Sequence, residues 1–205
     1  MNKRKKLVLF DLDGVLIDSK KNMELSWDAS CRIHKVDIKF EDFFCNIGRD
    51  FKDILVTLNI KEKQDDIEMA FNAESTRLIN LISLYDGVKQ VIDYLKNNNI
   101  RIGIVTSKNT LKTKKILESF GLLFDIVQTP NDNLKSKPAP DHILHAISEL
   151  KINAEDALYI GDMNVDYESA KAAKVDYAHA LWGYGTCQDE NVIKLEKISQ
   201  LTNII

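Results

Sequence analysis

The chain has 205 residues, 44% of them hydrophobic and 29% charged, with a net charge of −3. That length suits one compact unit or a core with a modest insertion, and it buries a sizeable core without disulfides or structural metal. The weak charge excludes a broad basic field for nucleic acid, and no apolar run approaches the roughly 20 residues of a membrane helix.

The basic run Lys3-Arg4-Lys5-Lys6 is expected to be a solvated leader, since no amphipathic helix or second basic block accompanies it. Leu7-Val8-Leu9-Phe10 is too short for a signal-peptide core. Residues 6–10 are predicted as a buried strand that ends in the acidic turn Asp11-Leu12-Asp13-Gly14. From Ser19 to about Leu84 the pattern is helical, broken only by polar residues and Gly48. Phe51, Ile54, Leu55 and Leu58 share one helical face, and Ile67, Phe71, Leu78 and Ile82 share another. This stretch is expected as a helical insertion, with Ser19 capping its first helix.

Helices and strands then alternate. Asp86 is expected to cap a helix whose inner stripe is Val88, Val91, Ile92 and Leu95. Residues 100–105 read as the next buried strand, and Asn109 and Gly121 open and close a helix. Residues 124–127 form a third strand, 141–150 a helix and 157–160 a fourth strand. A helix running through Ala173 and a short strand near 177–181 follow. Such alternation argues for an α/β fold on a parallel sheet with right-handed crossovers. In such sheets ligands sit at the carboxyl ends of the strands. The polar residues there are Asp11 and Asp13, Thr106 and Ser107, and Asp162 with Asp166.

The segment from Asp11 to Ser19 resembles the first motif of the haloacid dehalogenase superfamily. The remaining motif residues follow in order: Thr106, then Lys137 before Pro138, then Gly161-Asp162-Met163-Asn164-Val165-Asp166. Lys137-Pro138-Ala139-Pro140-Asp141 and Trp182-Gly183-Tyr184-Gly185 are similar to the phosphoglycolate phosphatase and β-phosphoglucomutase branch. The resemblance spans nearly the whole chain. It implies a Rossmann-like core from residues 1–17 and 85–205, with a small α-helical cap, residues 18–84, inserted after the first strand.

The residue types suit phosphoryl transfer. A strand-end carboxylate can attack phosphorus and form an aspartyl-phosphate that water hydrolyses. Residues two apart in an extended segment point the same way, so Asp11 as nucleophile and Asp13 as acid, then base, can flank one phosphoryl group. The resemblance implies Mg²⁺ held by the Asp11 side chain, the Asp13 backbone carbonyl and Asp162, with Asp166 as a direct or outer ligand. Lys137 would supply a point cation, while Thr106, Ser107 and nearby N–H groups would hold phosphate oxygens.

Taken alone, each element has a bland reading. Asp-x-Asp-Gly and Gly161-Asp162 can be turns, Lys137-Pro138 a solvated loop, and Asp166 a first-turn helix acid. Their joint order at strand ends argues for a site. His142 and His145, three apart on a helix without a third ligand, read as a solvated face rather than zinc. His34 and His179 read as structural or surface residues. Trp27 reads as core, and Trp182-Gly183-Tyr184-Gly185 as either a site border or an aromatic turn over the core. Arg49, after Gly48 in the insertion, is a candidate grip for a substrate anion or else an exposed loop residue. Cys31, Cys45 and Cys187 lack any paired-Cys motif, as reduced thiols of a cytoplasmic protein do.

The resemblance thus implies a magnesium-dependent phosphatase of small phosphorylated metabolites: phosphoglycolate, a sugar phosphate or a nucleotide. No membrane or nucleic-acid partner is expected. Asp13 argues against dehalogenase chemistry, where the second acid is missing. A phosphomutase remains open as an alternative, although Met23 stands where β-phosphoglucomutases carry a His. A non-catalytic phosphate- or metal-binding module is the other alternative. Lys174 stands where the branch usually has Gly, at a helix end.

Overall fold

The computed structural model describes residues 4–131 and 133–205. Four apolar residues form strand β1 (Leu7–Phe10), and each is fully buried, as a strand covered on both faces requires. The short ribbon strand β2 (Ile17–Asp18) comes next in the chain and pairs antiparallel with β3 (Ser83–Leu84). In the main sheet, β4 (Arg101–Val105) and β6 (Ala157–Gly161) flank β1. Outside them lie β5 (Ile126–Gln128) on one side, and β7 (Asp176–Ala180) and β8 (Ile193–Leu195) on the other. The order is β5-β4-β1-β6-β7-β8, and every pairing is parallel. The chain therefore reverses its direction across the sheet between β1 and β6, and such a switch point opens a crevice at the carboxyl ends.

Alternate strand residues feed opposite layers. Val8, Phe10, Ile102 and Ile160 pack under helices α5 (Val88–Asn97) and α6 (Thr110–Phe120). Leu7, Leu9 and Tyr159 pack under α7 (Asp141–Glu149) and α8 (Asn164–Ala173). The expected stripe Val88, Val91, Ile92 and Leu95 is buried. Its cap differs from expectation. Gly87 holds that position with φ 86°, a turn that suits glycine, so the exposed Asp86 lies one residue too early. Asn109 and Gly121 do bound α6. Strand β5 starts later than predicted, because the Asp125 carboxylate takes the Ile102 N–H at 2.9 Å just before the ladder begins.

Between β2 and β3 lie α1 (Lys20–His34), α2 (Phe40–Phe44), α3 (Phe51–Thr57) and α4 (Gln64–Arg77). These helices share their own apolar cluster, in which the fully buried Trp27 stacks on Phe43 at 4.4 Å between ring centroids. Phe51, Ile54, Leu55 and Leu58 all join it. The second predicted stripe breaks. Helix α4 stops at Arg77, a 3₁₀ turn follows, and Ile82 enters the sheet-side core as the chain returns to pair with β2. The ribbon strands and β8 are too short to carry a readable period.

The basic run is no solvated leader. Lys5 is buried and reaches Asp176 at 2.5 Å and the Glu155 carbonyl at 2.8 Å, while Lys6 pairs with Asp156 at 2.8 Å. Lys3 lies outside the described residues. Lys174 ends α8 with φ 57°, the left-handed conformation in which glycine carries no strain. His142 is buried rather than solvated, and the exposed His145 meets Gln128 at 3.0 Å. His179 is buried beside the Tyr177 hydroxyl at 2.9 Å. No helix among the described residues is long and apolar enough to cross a membrane.

Candidate active site

Asp11 and Asp162 follow β1 and β6, the two strands that flank the switch point, and both are buried. Gly14 lets the loop after β1 come down on Asp162: it has φ 80°, and a Cβ there would fall on the Asp162 carboxylate. Asp11, Asp162 and Asp166 offer ligand oxygens within 4.8 Å of one another, and no other such group of His, Cys, Asp or Glu exists among the described residues. The Asp162 Oδ2 atom accepts the Tyr184 N–H at 2.7 Å, whereas its Oδ1 is buried with no hydrogen-bond partner. An orphaned buried carboxylate oxygen beside a second carboxylate is what a hard, oxygen-seeking cation requires.

Lys137 is buried at the centre of this cluster. Its Nζ donates to Asp11 Oδ1 at 2.9 Å and to Asp166 Oδ1 at 2.7 Å, and lies 3.3 Å from the Tyr159 hydroxyl. Burial opposes its charge, but Asp11 and Asp166 together outweigh that effect and raise its pKa. Burial also pushes the Asp11 carboxyl up to about 7, against the pull of Lys137 and with added repulsion from Asp166 and Asp13. The Asp162 carboxyl is raised well above its usual range, first by burial and then by Asp166 and Asp11. Without a further cation the cluster is short of positive charge.

Both oxygens of Asp166 are occupied. Oδ1 meets Lys137 and lies 3.0 Å from the Tyr159 hydroxyl, and Oδ2 accepts the N–H groups of Asp162 at 3.2 Å and Met163 at 3.0 Å. Asp166 thereby caps the start of α8 and fixes the loop that carries Asp162.

Asp13 faces a cavity of about 140 Å³ between the sheet edge and the inserted helices. Its Oδ1 accepts from the Ser19 hydroxyl and pairs with Lys108 Nζ at 3.0 Å. Ser19 does hold the cap position of α1, but its side chain caps nothing because its hydroxyl is turned to Asp13. Thr106 is buried at the cavity, and its Oγ1 accepts the Lys108 N–H at 3.2 Å. Ser107 lines the same cavity, and its hydroxyl donates to the Gly48 carbonyl at 2.7 Å, tying the β4 end to the insertion. Arg49 is exposed and lines the same cavity.

Sequence reasoning missed Lys108 and Tyr159, and left Tyr184 open between a site border and an aromatic turn over the core. Lys108 stands two residues after Thr106 in the post-strand loop, a signal that was available. Tyr159 lies inside an apolar strand and had none. Tyr184 borders the site, with its hydroxyl donating to Asp18 at 2.9 Å and accepting the Ser19 N–H at 2.7 Å.

A parallel sheet with carboxylates and a buried lysine at its switch point defines an α/β protein with its site at the strand ends. A family model described as haloacid dehalogenase-like hydrolase matches residues 8–180. The pyrophosphatase PpaX of Bacillus velezensis is 30% identical over 217 residues, covering 99% of this chain and 97% of the relative. A phosphoglycolate phosphatase of Aquifex aeolicus is 27% identical over 187 residues, covering 87% and 86%. In fold, the chain is similar to a hydrolase from Pseudomonas syringae, with a TM-score of 0.86, 21% identity and 98% of each chain covered. The chain belongs to the haloacid dehalogenase-like hydrolases.

Proposed function

We propose that this chain hydrolyses a small phosphate monoester in two steps, with Asp11 as nucleophile and Mg²⁺ as cofactor. The observation that carries this reading is the meeting of Asp11, Lys137 and Asp162 at the switch point, with Asp13 on the cavity side. Asp11 and Asp162 would hold the ion, with the Asp13 carbonyl that the family resemblance implies. Bound there, Mg²⁺ neutralises charge between the carboxylates and the phosphoryl oxygens. Asp166, with both oxygens engaged, is assigned to positioning Lys137 and the Asp162 loop rather than to ligation.

In the first step an Asp11 oxygen bonds to phosphorus as the ester P–O bond breaks. Lys137 donates to Asp11 Oδ1, which favours the ionised carboxylate. Asp13 protonates the departing oxygen. Since Ser19 and Lys108 occupy Asp13 Oδ1, its Oδ2 is the oxygen left to carry that proton. In the second step the same oxygen takes a proton from water as the water attacks the acyl phosphate, which releases phosphate and restores Asp11. Thr106 Oγ1 accepts from the Lys108 N–H, so its own proton is free for a phosphate oxygen. Residues 18–84 act as a cap over this chemistry, and the Ser107–Gly48 hydrogen bond supports a closed arrangement. Met23, apolar and at the cavity wall, favours water over a second sugar hydroxyl as acceptor and so a phosphatase over a mutase.

The test is phosphate release from a panel of phosphorylated metabolites with Mg²⁺. Excess chelator is expected to cut turnover by at least about 10²-fold, since the ion contributes several kcal/mol to a charge-crowded step. Mg²⁺ should also raise the unfolding temperature, because it binds the folded carboxylate cluster. Full turnover in chelator would remove the metal from the assignment.

Arg49 is proposed to grip the leaving group from the cap. Arg49→Ala should raise KM about 3- to 10-fold for the best metabolite in the panel, the range of a partly exposed ion pair. It should change KM for 4-nitrophenyl phosphate less. Equal effects on both would return Arg49 to an exposed loop residue.

A further inference from the structure

Lys112 has no role in the two-step mechanism, yet it is among the most buried charged side chains of the protein, with 4% of its surface exposed. It sits in the first turn of α6, where the Asn109 side chain caps the helix by accepting the Leu111 and Lys112 N–H groups at 3.0 and 3.3 Å. The side chain leaves the core and reaches under the inserted helices to line the cavity that also holds Asp13 and Arg49. Its Nζ donates to Ser75 Oγ at 3.0 Å and lies 4.8 Å from the centre of the Phe71 ring.

The direction of that hydrogen bond is set by the groups behind it. The Ser75 hydroxyl proton goes to Asn22 Oδ1, and Asn22 Nδ2 donates to the Ser75 and Leu78 carbonyls at 2.9 Å each. Ser75 Oγ therefore accepts from Lys112, and an ammonium with three N–H donors keeps two that this network does not use. Among the described residues no carboxylate lies within 4.0 Å of Lys112 Nζ. The charged groups facing it are Lys108, which opposes its charge, and Asp13 and Glu68, which favour it from farther away. Burial is the largest influence and lowers its pKa well below the usual value.

An ammonium buried without a counter-ion is costly, and an apolar side chain beside Phe71 would fill the same space at no such cost. A lysine at this place is explained if an anion comes to it, because an opposite charge in contact offsets the burial and holds the ammonium charged. The cavity, at about 140 Å³, is smaller than a typical drug-sized pocket and limits that anion to a compact group.

We infer that Lys112 is a specificity residue that binds a second anionic group, a carboxylate or phosphate, on the leaving-group side of the substrate. The inference rests on the phosphatase reading of the same site. It makes the preferred substrate a compact dianionic ester: a phosphate for Asp11 and a second anion a few atoms away.

The experiment compares wild type, Lys112→Met and Lys112→Arg on 2-phosphoglycolate, 1,3-propanediol bisphosphate and propyl phosphate, with thermal unfolding of each variant. The first two substrates distinguish carboxylate from phosphate, and the third offers no second charge. Lys112→Met is expected to raise KM about 10- to 100-fold on whichever charged substrate wild type prefers, the worth of a hydrogen bond to a charged group. On propyl phosphate the change should be at least several-fold smaller. Lys112→Arg should keep most of the preference for charge. The unfolding temperature of Lys112→Met should hold or rise, because a buried amine whose charge the site disfavours is replaced by an apolar side chain of similar length.

Equal losses on charged and uncharged substrates, with a lower unfolding temperature, would make Lys112 a structural tie between core and cap and overturn the inference. So would wild type that turns over propyl phosphate but shows no preference for a second charge, with the phosphatase reading left intact. Wild type inert on all three substrates and on 4-nitrophenyl phosphate would overturn both.

Discussion

Asp11→Asn is expected to abolish phosphate release from every ester, a fall on the order of 10⁴-fold or more, as for other enzymes that lose a covalent nucleophile. An amide oxygen is a poor nucleophile, and the substitution also takes negative charge from Lys137, leaving that buried ammonium with Asp166 alone. Folding should survive. Burial raises the Asp11 carboxyl, so the site itself disfavours the charge that is removed, and Asn keeps an oxygen that can accept from Lys137. The unfolding temperature without metal should therefore stay near wild type, while the rise caused by Mg²⁺ should shrink with one ligand weakened. Acid-quenched wild type should carry a phosphoryl adduct by intact mass during turnover, and Asp11→Asn should carry none. An adduct on the variant would move the nucleophile elsewhere.

Asp13→Asn should separate chemistry from binding. The Asn side-chain oxygen can still accept from Ser19 and Lys108, so the loop keeps its shape, and the backbone carbonyl proposed to meet Mg²⁺ is untouched. What is lost is the proton on the other oxygen. Turnover of alkyl phosphates should fall about 10²- to 10⁴-fold, the usual range for general acid–base help. The defect should be smaller for 4-nitrophenyl phosphate, whose leaving group needs little protonation. Water attack then becomes slow, so the aspartyl-phosphate should accumulate with this substrate and be caught by acid quench. A variant as active as wild type on alkyl phosphates would strip Asp13 of its role.

Several parts of this protein follow from local chemistry alone. The run from Leu7 to Phe10, the Asn109 and Gly121 bounds of α6 and the stripe from Val88 to Leu95 are short-range patterns, so they were readable before folding was considered. Asp11, Asp13, Lys137, Asp162 and Asp166 were equally legible, because each stands in a loop after a strand or, for Asp166, in the first turn of the helix that follows, and parallel strands deliver those ends to one edge. Spacing could not say what each side chain would touch. Ser19 looked like a helix cap and turned out to bind Asp13, and the tie of Ser107 to the insertion through Gly48 had no local signal. Lys5 and Lys6 looked like a solvated tail and anchor the chain to acids some 150 residues away or more. Lys112 looked like one lysine among several on a helix, and only the packing of α1 and α4 over α6 takes it out of water. Local sequence determined where the strands end and which reactive groups stand there. Burial, partners and surplus charge came only from segments far apart in the chain, because a side chain's solvation is set by what closes over it.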